Sequence, residues 1–174
     1  MKKKFLLTLP LASLALLGIA SCGNKNIGDN GSSNVSGSIK PDVIDSKVVY
    51  ASPNGSSNAS GNKATPLDVR TAFEGLKAGD TLILLEGTYK LSDRILILSN
   101  QSGKEGSPIT VKAEDGAGVT FDFSEQVIAS TSRGIQINAD YWHLYGFDVM
   151  GAGDNGVYIA GSYNIVENCS FHEN

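Results

Sequence analysis

The residues able to do chemistry in this 174-residue chain are few and scattered. Its two histidines are His143, between Trp142 and Leu144, and His172, at the end of the chain. A histidine serves as a metal ligand or proton carrier when a carboxylate or a second histidine stands beside it. Neither has such a neighbour at metal-ligand spacing in the sequence, so neither receives a role. Asp154 lies in Gly153-Asp154-Asn155-Gly156, where Asp and Asn favour a turn, and Asp148 alternates with Phe147 and Val149 and so points to solvent. Lys112 follows an inward Val111 and is exposed, with nothing near it to lower its pKa to that of a base. Asn138, Asn164 and Asn168 suit structural side-chain ladders better than ligand binding. By strand alternation Trp142 and Leu144 share one face and Tyr145 takes the other, leaving Tyr145 and Tyr158 as the candidates to stack on a bound ligand. No catalytic or metal-ligating residue is assigned.

Composition narrows the classes. With 41% hydrophobic and 18% charged residues, 20 glycines and two cysteines, the chain holds at most one ordinary domain and is neither a disordered acidic tail nor a disulfide scaffold. Three of the fourteen Lys and Arg are Lys2, Lys3 and Lys4, and no acid precedes residue 22, so the chain from Cys22 onward carries a balance of −7. Such a surface repels phosphate backbones, and no stretch clusters Lys or Arg with aromatics, so a nucleic-acid partner is not expected. The acids leave room for a divalent cation.

The N-terminal 21 residues read as a targeting segment. Lys2 to Lys4 precede a mostly apolar run of 16 residues, Phe5 to Ala20, too short and interrupted to span a membrane well. It ends in Ile19-Ala20-Ser21-Cys22, which resembles the lipobox of bacterial lipoproteins and makes Cys22 the expected lipidation site. Cys169 is then left without a disulfide partner and reads as a small buried hydrophobe. Residues 23–40 are Gly, Ser or Asn at 12 of 18 positions, a flexible tether extending to residue 47. The expected location is the bacterial cell envelope, with the body held by a lipid at the outer membrane or cell surface.

From Val48 the pattern changes. Thr65-Pro66-Leu67-Asp68 predicts a helix start with a hydroxyl cap and Pro at N1; Val69, Ala72, Phe73 and Leu76 form one face, and Gly79 offers the stop. Thr81–Leu85, Arg94–Leu98, Ile109–Lys112 and Val119–Phe123 are short strands set apart by Gly, Asp, Ser and Pro. A shift of 22 residues places Gly134 on Gly156, Ile135 on Val157, Ile137 on Ile159, Tyr141 on Tyr163, Leu144 on Val166, Phe147 on Cys169 and Val149 on Phe171. That period without further helices predicts an all-β solenoid, a parallel β-helix whose inward residues stack in columns. The stretch from Arg94 to Ser132 would supply one or two looser coils. The helix would cover the open end of the first coil, whereas nothing resembling a cap follows Tyr163–Phe171, so the chain reads as the front part of a longer solenoid. Gly156→Val is expected to lower soluble yield sharply, because Gly134 and Gly156 mark a tight turn or a close approach of coils.

The segment Asp140-Tyr141-Trp142-His143-Leu144-Tyr145-Gly146-Phe147, with Gly151-Ala152-Gly153-Asp154-Asn155-Gly156-Val157 and Asn164-Ile165-Val166-Glu167-Asn168-Cys169, resembles the early coils of polysaccharide lyase family nine. Upstream, Tyr50-Ala51-Ser52-Pro53-Asn54-Gly55, Ala78-Gly79-Asp80-Thr81, Glu86-Gly87-Thr88-Tyr89, Pro108-Ile109-Thr110-Val111 and Phe121-Asp122-Phe123-Ser124 resemble that family's cap and first coils. The resemblance covers residues 48–174. It implies a right-handed parallel β-helix, a secreted pectate lyase and β-elimination on polygalacturonate, with aspartates holding Ca²⁺ and a lysine removing the C5 proton. Those aspartates and that lysine match no residue here, so the catalytic coils are expected after residue 174. A monomer is expected. A non-catalytic β-helix surface protein that binds polysaccharide or a partner remains the alternative, and a lyase for another polyuronate shares the chemistry.

Overall fold

The structure, a computed structural model, describes residues 45–174. The targeting segment 1–21, Cys22 and nearly all of the tether lie outside the described residues. The elements run β1 (Val48–Ala51), α1 (Val69–Glu74), β2 (Thr81–Leu84), β3 (Gly87–Lys90), β4 (Ile95–Ile97), β5 (Ile109–Ala113), β6 (Val119–Asp122), β7 (Ile135–Ile137), β8 (Trp142–Tyr145), β9 (Asp148–Met150), β10 (Val157–Ile159), β11 (Ile165–Glu167) and β12 (Ser170–His172), with one 3-10 turn at Ser99–Gln101. All strand pairing is parallel, in a five-stranded sheet β1-β2-β5-β8-β11, a four-stranded sheet β3-β6-β9-β12 and a three-stranded sheet β4-β7-β10. Three successive coils, β2-β3-β4, β5-β6-β7 and β8-β9-β10, contribute one strand to each sheet, with β1 before them and β11 and β12 after, which is the expected parallel β-helix.

The 22-residue shift is the register itself. Val157 pairs with Ile135, Val166 with Leu144 and Phe171 with Val149. Tyr141 and Tyr163 stack with ring centroids 4.7 Å apart, both with backbones in the left-handed region. Earlier coils are longer, the register stepping from Thr81 to Thr110 to His143, and Arg94–Ser132 supplies the end of one coil and most of the next. Strand β3 is an addition to the strands predicted from periodicity; its Tyr89 is buried and its hydroxyl lies 2.9 Å from the Ala51 carbonyl and 2.8 Å from that of Leu85. That burial pushes the Tyr89 pKa well above the usual tyrosine value.

Inward residues form columns. Val49, Leu82, Val111 and Leu144 lie in register along the five-stranded sheet, and Tyr89, Phe121 and Val149 along the four-stranded one. Tyr89 and Phe121 stack at 5.2 Å, and Phe147 meets Phe121 edge-on at the same distance. Trp142 is fully buried, its indole N–H donating to the Gln101 carbonyl at 2.8 Å.

The helix closes the N-terminal end, and it starts later than expected. Asp68, not Thr65, is the N-cap, accepting from the Thr71 N–H at 3.1 Å. Thr65 is held in a turn by the Asn62 side chain, and Leu67 pairs with Ala51 and donates to the Tyr50 carbonyl, so neither is free to enter a helix. The stop is Gly75, whose N–H returns to the Thr71 carbonyl; Gly79, at φ +88°, instead donates to Ser107. The expected face of Val69, Ala72, Phe73 and Leu76 is buried, and Phe73 stacks on Trp142 at 6.0 Å. Arg70 donates to the carbonyls of Asp93 and Arg94, covering the approach to β4, which has no strand on its outer side.

At the other end the columns open. Leu144 and Val149 are fully buried, whereas their partners Val166 and Phe171 are 37% and 42% exposed. Cys169, expected to be buried like Phe147, is half-buried for the same reason.

The close approach of coils is at Gly134. A methyl group there would lie 2.4 Å from the Gly156 carbonyl oxygen and 3.0 Å from the Phe123 ring, whereas at Gly156 it would lie 2.7 Å from the Asn174 side-chain amide, which accepts from the Ala152 N–H. The expected sensitivity of both glycines has a physical source, and it is greater at Gly134, where the obstacle is backbone and an aromatic ring. Gly134→Ala should cost about 1–3 kcal/mol as an overpacked contact, lowering the melting temperature more than Gly156→Ala does; equal effects would contradict this packing. Asn164 accepts from the Trp142 N–H at 2.8 Å and donates to Ala139 at 2.9 Å, tying two coils together. Asn164→Ala should cost about 1–3 kcal/mol by stranding those groups, seen as a lower denaturant midpoint.

Candidate functional site

Outward positions fall into rows because successive strands pair in register, so side chains distant in sequence meet on the solenoid surface. On the five-stranded sheet the row Ile83, Lys112, Tyr145, Glu167 runs beside Thr110, His143, Ile165. His143 Nε2 lies 3.1 Å from the Glu167 carboxylate, and Tyr145 meets the imidazole edge-on at 6.0 Å. The sequence offered His143 no carboxylate; the parallel register brings one from the next coil. Glu167 is 24 residues away, and only the pairing of Ile165 with His143 signals it. His172 lies on β12 at an exposed position. Lys112 pairs with Asp115 at 3.4 Å.

A second surface lies along the three-stranded sheet. Leu96, Gln136 and Tyr158 form its outer row. The Arg133 guanidinium sits 3.6 Å above the Tyr158 ring, and its Nε is 3.8 Å from Asp154. One face of Tyr158 is thus occupied. Asp154 lies in the expected bend and also anchors Arg133. Tyr145 and Tyr158 belong to different sheets, so the structure does not bring these two candidates together.

Beside this sheet the connection from β6 to β7 forms a loop with Val127 and Ile128 exposed at its tip. Gln126 holds it down: its amide donates to the Arg133 carbonyl at 3.0 Å and accepts from the Gly153 N–H at 3.2 Å. The loop and the turn before β4 enclose a groove of about 500 Å³ lined by Ser92, Asp93, Arg94, Gln126, Thr131 and Ser132, with Val127 at its lip. Nothing in the periodicity marked this groove, since it arises where two coils of different length meet.

The carboxylates are dispersed, and several are engaged in the scaffold. Asp80, almost fully buried, accepts from the backbone N–H groups of Lys47 and Lys77, both at 2.9 Å. Asp68 caps the helix, Asp140 accepts from the Ser162 N–H, and Glu114 pairs with Lys63. The Ser124 hydroxyl and N–H hold the Asp122 carboxyl below the usual carboxylate range. Among the described residues no three His, Cys, Asp or Glu side chains converge. A calcium ion needs 6–8 oxygen ligands, several of them carboxylates, and the residues present do not fit one. Asn138, just past the end of β7, accepts from Gln136, and Asn168, at φ +51°, takes the left-handed position that Gly146 holds one coil earlier.

A family model described as Pel9A-like, right handed beta helix region matches residues 49–174. Pectate lyase L of Dickeya chrysanthemi is 37% identical over 135 residues, covering 74% of this chain and 32% of the relative. Pectate lyase L of Paenibacillus polymyxa is 37% identical over 126 residues, or 72% and 28% of the two chains. The crystal structure of pectate lyase Pel9A superposes with a TM-score of 0.64 at 33% identity, over 74% of this chain and 34% of that one. A rhamnogalacturonan lyase, at 21% identity and a TM-score of 0.63 over 73% and 36%, shares the fold. The chain spans about a third of the length of these relatives. Coil pairing, cap and family match agree: the chain belongs to the Pel9A-like right-handed β-helix family of polysaccharide lyase family nine.

Proposed function

We propose that residues 48–174 are the N-terminal cap and coils of a secreted, lipid-anchored pectate lyase of the bacterial cell envelope that cleaves polygalacturonate by β-elimination. The observation that carries this reading is the 37% identity to pectate lyase L through the cap and coils. In such an elimination a base removes the C5 proton, the electron pair forms the C4–C5 double bond, and the C4 oxygen departs with the rest of the chain. Calcium is the cofactor this reading implies; the described residues do not fit it, and the reading expects its ligands and the base on coils following residue 174. Two observations support further coils: the chain spans about a third of its relatives, and Val166 and Phe171 occupy inward positions yet are exposed. Another coil would bury them, at a gain of about 25 cal/mol per Å² of apolar surface covered. Secretion and anchoring rest on Lys2–Lys4, the apolar run to Ala20 and Cys22.

The contribution of the described coils is a rigid base that sets the register of whatever stacks on them. A non-catalytic polysaccharide-binding protein is the second reading, favoured by the dispersed carboxylates and the hydroxyl-lined groove.

The test is the appearance of unsaturated uronate ends from polygalacturonate, measured by their ultraviolet absorbance, for the 174-residue chain and for the protein read through codon 174 in the source DNA. The 174-residue chain should release none above the blank, and the longer protein should release them and stop when calcium is chelated. Activity in the 174-residue chain would place the site on the described coils, and an inactive longer protein would support the binding reading instead.

A further inference from the structure

We propose that the groove between Ser92–Arg94 and Gln126–Ser132 is a subsite for an anionic sugar, in which Arg94 receives the carboxylate of a uronate residue. The identity of the sugar rests on the polyuronate reading above; the groove's demand for a carboxylate rests on its own walls.

Arg94 makes no side-chain hydrogen bond or ion pair among the described residues, although its backbone is pinned, its carbonyl accepting from Arg70 at 3.0 Å. A guanidinium presents a planar fork of N–H donors that matches a carboxylate bidentately. The body as a whole has a balance of −7 after the targeting segment, but beside this fork the charges are mixed, the Arg70 guanidinium donating to the Asp93 and Arg94 carbonyls. The single carboxylate lining the groove is Asp93, next to the Ser92 hydroxyl at 3.5 Å. Ser92, Thr131 and Ser132 line the groove with hydroxyls able to donate and accept, the pattern that ring hydroxyls of a sugar require. Its volume of about 500 Å³ lies within the ~300–1,000 Å³ typical of small-molecule sites.

The far wall is preformed. Gln126 holds the loop to Arg133 and Gly153, the Ser132 N–H returns to the Ala129 carbonyl, and Arg133 is seated on Tyr158 beside Asp154. A wall already fixed loses little freedom when a ligand enters, which favours binding. Arg133 thus acts as a positioning residue, and Arg94, directly preceding β4, faces the ligand beside the outer row of the three-stranded sheet.

The experiment measures binding of trigalacturonate and of its fully methyl-esterified form to the full chain, by calorimetry, for the native protein and for Arg94→Gln and Arg94→Lys. The acid should bind, the ester should bind at least about tenfold more weakly, and Arg94→Gln should lose about the same factor for the acid and none for the ester. Arg94→Lys should fall between, keeping the charge and losing the fork. Melting temperatures of both variants should match the native protein, because the guanidinium holds nothing in the fold. Failure of the native chain to bind, equal binding of acid and ester, or undiminished binding by Arg94→Gln overturns the proposal. These outcomes separate from the lyase test: a longer protein that cleaves polygalacturonate while Arg94→Gln binds normally refutes the groove alone. Binding through Arg94 alongside an inactive longer protein refutes the lyase reading alone.

Discussion

Parallel pairing of each strand with its counterpart one coil earlier is the constraint on which this molecule depends. A strand of three or four residues cannot stand alone, and its backbone N–H and C=O groups must be paired by the coil before and the coil after. The same pairing sets adjacent strands about 4.8 Å apart, so side chains in register touch along the axis. Leu82, Val111 and Leu144 become a column for that reason, and so do Tyr89, Phe121 and Val149. The core is therefore built from neighbour contacts, and an end of the stack needs either a cap or another coil.

At the N-terminal end that need is met by α1. Phe73 enters the core against Phe121 and Trp142, and Arg70 takes two carbonyls at the approach to β4. The polar ties between coils follow one pattern, a side-chain oxygen accepting from a backbone N–H of a neighbouring coil. Asn164 does so for Trp142, Asn174 for Ala152 and Asp140 for Ser162, each at a separation of 22 residues. These groups belong to the scaffold, which leaves the outward rows and the longer connections to provide surfaces for ligands.

Those connections are where function can be added at low cost. A surface loop can lengthen without disturbing the columns, since extra closure entropy grows slowly with loop length. The loop after β6 is such an insertion, and its length creates a groove that a uniform 22-residue coil would not contain. Membership of a lyase family, a scaffold without a convergent carboxylate cluster among its described residues, and a polar groove beside one sheet fit a division of labour. In the reading proposed above, these coils bind and align, and the bond-breaking chemistry belongs to coils that stack upon them.

Much of this was legible in the residues themselves. Alternation separated buried Trp142 and Leu144 from Tyr145, and the 22-residue shift named the partners of β7, β8 and β9, because both are translational patterns carried along the chain. The family, too, was readable from local strings. The tertiary structure decided what depends on coils of unequal length or on competition for backbone groups. Asp68 caps the helix because Leu67 is already paired to Ala51, Gly134 is crowded by backbone because another coil lies over it whereas Gly156 meets a side chain, and His143 acquires Glu167 across a register boundary. The groove at Arg94 belongs to the same class. Its two walls lie more than thirty residues apart, and no periodicity relates them; only folding the long coil back onto the one before it brings them face to face.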